Sequence, residues 1–447
     1  MELLAQIPLI GGALKIAVPF LIVLSVIVFI HEFGHYIVGR WCGIRAEVFS
    51  IGFGKRLFGW TDRRGTHWQV AALPLGGYVK FVGDMDPASA GRIDDEELSA
   101  EVRSSAFHNA GLLARTLTVA AGPFANFLLS VLLFAGTILW MGQASNEPVI
   151  GSIGVEAVED VGLEAGDRVL SIAGEEVTSF GDIIVILQRT NGVAQTATVE
   201  RGGEVREIMV RYHMSPRITT VTPGMPAARA GMQGGDVILT IDGEPVDSFG
   251  ELQLITAAKA HGTEMVVETD RGGKRLVFSF VPDLQERPHP VTGENTLLPT
   301  MGISGSTLAG IQPDREPAEI GSALSGGVTA TWRIVSGTMI YLGDMLFRGA
   351  DTSQLGGPIF IAKASADVAE QGFSSLIQWI ALLSTSIGLI NLFPIPILDG
   401  GHLMFYAAEL VRGRPVGEAW MKVGTMIGLS LVLLLMVFAT YNDLLRL

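Results

Sequence analysis

The sequence predicts a polytopic α-helical membrane protein with four transmembrane helices, membrane-associated β-hairpins and two inserted copies of a small α+β unit. Three observations predict it. Four long segments carry almost no charge, a glycine-punctuated stretch of alternating residues follows the first of them, and the middle of the chain repeats itself. The 447 residues suffice for more than one domain. Only 17% are charged and the mean hydropathy is +0.41, and this apolar excess is concentrated in a few segments.

Between Ile10 and Ile30 the only charged residue is Lys15, and residues 117–141, 376–398 and 423–440 have none. Each is about long enough to cross a hydrocarbon core of roughly 30 Å as a helix, which gives four spans in the lipid bilayer. The first reads as a retained anchor. "MELLAQ" lacks a basic n-region, and no small-residue cleavage site ends the run as it would in a signal peptide. Cys42 is the single cysteine, which excludes an internal disulfide and a cysteine-built metal site. A net charge of −14 argues against a nucleic-acid partner.

Orientation follows from the basic residues. Arg40, Arg45, Lys55, Arg56, Arg63 and Arg64 lie between spans one and two; Arg412, Arg414 and Lys422 lie between spans three and four. Placing both connections in the cytoplasm puts the termini and the long central segment outside. Spans one and three then run in the same direction.

After the first span, "GIRAEVFSIGFGKRLFGW" and "THWQVAALPLGGYVKFVGD" alternate and break at glycines, as β-hairpins near the membrane surface do. Residues 84–103 read as a polar, acidic loop. Span two contains "GPFANF", where Gly122-Pro123 can kink a helix and Asn126 is a polar group in an apolar setting.

The repeat aligns "GLEAGDRVLSIAGEEVTSFGD" (162–182) without gaps on "GMQGGDVILTIDGEPVDSFGE" (231–251), and "ERGGE" with "DRGGK" further on. Two copies of a unit of about 70 residues are the mark of a repeat architecture. The pattern resembles PDZ domains, over about 147–213 and 214–283. That resemblance implies peptide binding by strand addition at a sheet edge, with peptide termini as possible partners; a spacer role is the alternative. "DLQERPHPVTGENTLLP" then reads as a proline-bearing linker. Residues 326–346, apolar but broken by Arg333 and Asp344, read as an interfacial helix. The organisation expected is therefore 1–146 (spans one and two with the hairpins), 147–213, 214–283, 284–374 (linker and interfacial helix) and 375–447 (spans three and four).

"HEFGH", at the end of span one, places His31 and His35 on one helical face, where both can reach one metal ion. Neutral imidazole is a common zinc ligand, and a carboxylate beside it, Glu32, can activate water. The bland reading, a hydrogen-bonded core histidine and a surface Glu32 paired with Arg40 or Arg45, is weakened because ionisable groups in a span default to function. Two histidines leave a catalytic zinc one protein ligand short. "NLFPIPILDGGH" (391–402) offers Asp399, after two prolines that cannot continue a regular helix. Asp399 could instead cap the helix beginning near Gly401, and His402 is the alternative third ligand. Because spans one and three run the same way, both motifs fall near the cytoplasmic face.

These motifs together, "HEFGH", "NLFPIPILDGGH" and the PDZ-like pair between them, resemble the site-2 protease family of intramembrane zinc metalloproteases, of the bacterial regulator-of-sigma-E protease type. "GPFANF" and "LGGPIFIA" (355–362) are similar to further family segments. The resemblance implies zinc held by His31, His35 and Asp399, with Glu32 as general base and proton shuttle. It implies that Asn391 holds the substrate backbone and that the β-region presents an extended substrate strand. It also implies single-span membrane substrates, such as anti-sigma factors or remnant signal peptides, and residence in the bacterial inner membrane with periplasmic PDZ domains. A membrane-tethered PDZ scaffold without proteolytic activity is the competing class, and it has no need of Glu32.

Overall fold

The structure, a computed structural model, describes residues 8–83, 105–153, 161–190, 193–211, 215–222, 225–288, 295–305, 311–347 and 356–445. The acidic stretch 84–103 lies outside them. The chain forms two compact units: residues 1–141 with 318–445, and residues 142–317.

The first unit is built on long helices. Helix α1 (Pro8–Trp41) carries "HEFGH" in its last third. It stops at Gly43, whose φ of +81° suits a left-handed cap. Ile44 N–H bonds Gly39 O at 2.9 Å and Gly43 N–H bonds Arg40 O at 3.2 Å, the paired bonds that close a helix at such a residue.

Strands β1 (Ala46–Thr61) and β2 (His67–Phe81) follow. Their pairing register shows that both bend: residues 48–51 face 77–80 on one side and 67–70 on the other, while 56–61 pair with 67–71. Gly52, Gly54 and Gly76 supply the positive φ angles for the bends. One hairpin thus makes a sheet four segments wide, with Ala46, Phe49 and Ser50 buried in its middle. Asp62 ties its turn together, accepting from the N–H groups of Arg64 and Thr66 and from Trp68 Nε1 at 2.8–3.0 Å. Tyr36 of α1 donates to the same carboxylate at 3.3 Å, which anchors the hairpin to the helix.

Helix α2 (Leu112–Met141) runs unbroken through Pro123, so the expected kink site stays within a continuous helix. In the second unit, β3 (Gln143–Ala144) and β4 (Ile150–Ile153) open the first repeat copy, followed by β5 (Arg168–Ile172), β6 (Glu175–Glu176), helix α3 (Phe180–Thr190), β7 (Gln195–Arg201) and β8 (Glu204–Val210). The second copy comprises β9 (Ile218–Val221), the short α4 (Pro226–Arg229), β10 (Val237–Ile241), β11 (Glu244–Pro245), α5 (Phe249–Ala258), β12 (Met265–Arg271) and β13 (Lys274–Phe280). Their sheets have equivalent orders, β6-β5-β7-β8 and β11-β10-β12-β13.

The two sequence correspondences that defined the repeat meet in space. Asp167 of the first "GD" is fully buried and receives Arg201 Nε and Nη2 at 2.7 Å; Asp236 of the second receives Arg271 at 2.6 and 2.8 Å. Each carboxylate also accepts a main-chain N–H three residues before it, from Glu164 or Gln233. The arginines come from "ERGGE" and "DRGGK", so the repeated residues are the two halves of one repeated ion pair.

The segment expected to be a linker instead carries strands: β14 (Asp283–Pro288), β15 (Asn295–Thr300), β16 (Ile303–Gly305), β17 (Ile311–Pro313) and β18 (Arg315–Glu316). Strand β16 pairs with β9 of the second copy, β17 with β4 of the first, and β18 with β3. Ile311 lies in the first copy's core and Met301 in the second's. The second copy is therefore nested within the path of the first, whose sheet elements are not contained in 147–213.

Back in the first unit, α6 (Ile320–Phe347) follows. Expected as an interfacial helix, it packs lengthwise and antiparallel along α2. Ala323 and Thr331 are buried, and a Cβ on Gly327 would stand 2.4 Å from Val131 O. An adjacent face exposes Ile320, Leu324, Val328 and Trp332 at four-residue spacing. Helix α7 (Pro358–Glu370) turns at Gly372 into the antiparallel α8 (Phe373–Asn391), and Trp379 donates to Ser365 across the pair at 2.9 Å. Then come α9 (Asp399–Arg412) and α10 (Glu418–Leu445). Asp443 of α10, 2% exposed, accepts the N–H groups of Gly357, Ile359 and Phe360 at 2.8–3.0 Å and so caps α7 from a distant helix. Helices α1, α2, α8 and α10 are long and apolar enough to cross a membrane, matching the four expected spans. The third is helical only to Asn391; residues 392–398, with their two prolines, form turns.

Burial alone would raise the Asp236 pKa, but Arg271 and the Gln233 N–H outweigh it and hold the carboxyl below its ordinary value. A depressed carboxylate pKa contributes stability that is full above the unfolded value of about 4 and is lost as pH falls through the folded value. Urea unfolding of residues 142–317 should therefore show the unit weakening below about pH 4, with that slope reduced in Asp236→Asn. Arg271→Ala, which strands a buried carboxylate, should cost about 3 kcal/mol at neutral pH. A fragment ending at residue 283 should unfold at lower urea than residues 142–317, because both copies lose a strand.

Candidate metal centre

His31 and His35 sit one turn apart on α1, and Asp399 is the first residue of α9. His31 Nε2 and His35 Nε2 are 3.3 Å apart, and Asp399 Oδ2 lies 3.2 Å from the first and 3.5 Å from the second. Zinc bonds to nitrogen and oxygen of about 2.0–2.1 Å place tetrahedral ligands about 3.3 Å from each other. The three atoms therefore form a triangle that fits one face of a zinc tetrahedron. Asp399 Oδ2 is buried and has no hydrogen-bond partner, as expected of an oxygen reserved for a cation. Among the described residues, this is the one group of three or more such side chains placed to hold a metal.

Asp399 does not act as the helix cap. Leu398 occupies that position, and no side-chain cap bond forms. His402 lies further along α9 and is not part of the cluster. Asn391 is the last residue of α8, half-buried, and makes no side-chain hydrogen bond among the described residues.

Small residues allow the helices this close. Gly34, inside "HEFGH", faces α2 so tightly that a Cβ would stand 2.4 Å from Ala121 O. A Cβ on Gly122 would stand 2.2 Å from His35 Nε2, the nitrogen of the triangle. On α9, Gly400 and Gly401 lie against the carbonyls of Leu392, Phe393 and Ile395, which brings Asp399 back over the end of α8. The far half of α9 is fixed by Arg115 of α2, which donates to both Glu409 oxygens at 2.7 and 3.2 Å and stacks over Tyr406. Such a bidentate pair gives geometric specificity as well as energy.

The histidines' other nitrogens are held from α2. His35 Nδ1 is 2.9 Å from Thr118 O, and His31 Nδ1 is 3.2 Å from the Asn126 side chain. Glu32 points toward β2. A Cβ on Gly77 would stand 3.2 Å from Glu32 Cγ. Among the described residues, segment 77–81 pairs on one side only, which leaves its other edge open.

Of the residues singled out in the sequence, the structure brings His31, His35 and Asp399 together, with Glu32 on the same helix as the histidines; Thr118 and the Arg115–Glu409 pair had not been singled out. Thr118 acts through its main chain and leaves no sequence signal. Gly122 and Asn126 were visible in "GPFANF" without a role.

Peptidase family M50 matches this chain over residues 19–435. A protein of Agrobacterium fabrum named "Putative zinc metalloprotease" is 38% identical over 95% of this chain and 94% of its own length. Protease RseP of Yersinia pestis is 32% identical over 96% of this chain and 98% of its own. A solved PDZ domain of an SdrC-like protein from Listeria monocytogenes aligns with 20% of the chain at 24% identity and a TM-score of 0.16. The chain belongs to peptidase family M50, the site-2 proteases. It is an intramembrane zinc metalloprotease, a multi-pass inner-membrane protein that acts on membrane-protein substrates.

Gly122→Ala tests the geometry without touching a donor atom. With its methyl group aimed at His35 Nε2, this variant should lose zinc, measured by metal analysis of the purified chain, while the secondary structure measured by circular dichroism stays unchanged.

Proposed function

We propose that His31, His35 and Asp399 hold the zinc, that Glu32 is the general base, and that the enzyme hydrolyses peptide bonds within single-span membrane segments. The observation that carries this reading is the triangle of donor atoms with Glu32 beside it and an open strand edge alongside. Zinc, when bound, polarises the scissile carbonyl and makes water acidic enough to attack near neutral pH. Glu32 takes the proton from that water and returns it to the leaving amine.

A substrate helix hides its carbonyls in hydrogen bonds and must unwind before cleavage. The free edge of 77–81 offers main-chain partners for an extended strand, and Asn391, unpaired at the end of α8, can take up the strand's other side. Such a strand passes Glu32. Basic residues between the first two and last two spans favour a cytoplasmic location for the site and a periplasmic one for residues 142–317. Antiparallel α6 and α7 keep that orientation consistent: α6 descends along α2, and α7 ascends toward the start of α8, so the pair adds no net crossing.

The substrates that fit are single-span proteins already trimmed outside the membrane, such as anti-sigma factors or remnant signal peptides. Cleavage would release a cytoplasmic fragment in envelope stress signalling. The nested repeat unit serves as a size filter against intact outer domains or as a receptor for a newly exposed terminus.

Zinc analysis paired with cleavage of a single-span model substrate tests the assignment. Glu32→Gln should retain zinc and lose at least about a thousandfold in rate, a general base and its proton return both being removed. Asp399→Ala should lose zinc. Undiminished cleavage by the glutamine variant would refute the role of Glu32.

A further inference from the structure

Asn126 is a polar side chain at the site that the proposed reaction leaves without a task. It is fully buried on α2 and lies 3.2 Å from His31 Nδ1, and its Oδ1 has no partner. Its position is unusually fixed. Ser384 of α8 donates to its main-chain carbonyl at 2.9 Å, and a Cβ on Gly388 would stand 3.1 Å from the Asn126 Cβ. The side chain is thus clamped between α1 and α8 with its polar end against the first histidine.

The chemistry of His31 decides which amide atom faces it. An imidazole that gives the lone pair of Nε2 to a metal carries its hydrogen on Nδ1. That N–H needs an acceptor, and of the two amide ends only Oδ1 can accept. Oxygen and nitrogen of an amide exchange places by a half-turn about the Cβ–Cγ bond, so the same side-chain position serves.

We propose that Asn126 is a positioning residue of the zinc centre, its Oδ1 accepting the hydrogen bond of His31 Nδ1–H and thereby fixing the tautomer and ring plane that present Nε2 to the metal. This rests on the assignment of His31 as a ligand. His35 receives the equivalent support from the main-chain oxygen of Thr118, which no substitution removes; His31 depends on a side chain. An amide also suits the charge balance. Asp399 and Glu32 already bring two carboxylates to a dication, and a neutral acceptor orients the ring without adding a third.

The test is zinc affinity by chelator competition on the full chain in detergent. Asn126→Leu, similar in size and without an acceptor, should lower affinity about 10- to 100-fold. Asn126→Asp restores an acceptor and should bind zinc at least as well as the parent. Asn126→Ala repeats the acceptor deletion with a side chain small enough to fit in any packing, should the leucine variant not fold. Parent-like affinity in Asn126→Leu or Asn126→Ala overturns the proposal. So does equal loss in the leucine, alanine and aspartate variants, because packing alone would then explain it. Zinc retained in full by His31→Ala and Asp399→Ala would instead overturn the ligand assignment on which the proposal stands.

Discussion

The close approach of α1 to α2 is the constraint on which the rest of the first unit depends. The distance between packed helix axes depends on the side chains at the contact, and a side chain at Gly34 or Gly122 would push α2 away from the backs of His31 and His35. Gly34 removes the obstruction within "HEFGH", next to His35, and Gly122 removes it on the facing helix. The five-residue motif therefore does two jobs. Its spacing aligns two imidazoles, and its glycine lets α2 come near enough to orient them. Without water-driven association in lipid, small residues and interhelical hydrogen bonds are the means available for such contacts.

The same environment explains how the ionisable groups of this unit are kept. Asp443 meets three main-chain N–H groups at a helix start, where the helix dipole favours a negative charge. Arg115 and Glu409 neutralise one another. Ser130, Thr331 and Thr385 share a buried hydroxyl cluster that links α2, α6 and α8. Among the described residues of this unit, Asp399 Oδ2 and Asn126 Oδ1 are buried without a partner, and the first is the atom a cation would satisfy.

The parts of this architecture legible in the sequence are those carried by local pattern. Long uncharged runs gave the spans, and His31, Glu32 and His35 stood out because ionisable groups in an apolar run need a reason. The Gly-Asp and Arg-Gly-Gly correspondences marked the two repeat copies, although their meeting as an ion pair needed three dimensions. What stayed hidden was non-local. No local pattern shows that Ile311 pairs with Ile153, or that one hairpin bends into four segments. The packing of helix α6 on α2 stayed hidden for a related reason. Arg333 and Asp344 lowered its apparent hydrophobicity, while its real qualification for packing on α2 is a face of Ala323, Gly327 and Thr331, too small to register in a hydropathy average.

The short pairing of β3 with β18 has a consequence of its own. Residues 143–144 and 315–316 lie side by side, and Arg315 also donates to the carbonyl of Gly142 at 3.2 Å. Some 170 residues thus begin and end at one stitched point. In genealogical terms the repeat unit is a cassette: it can be exchanged, duplicated or dropped at a single seam without asking the helices on either side to move apart.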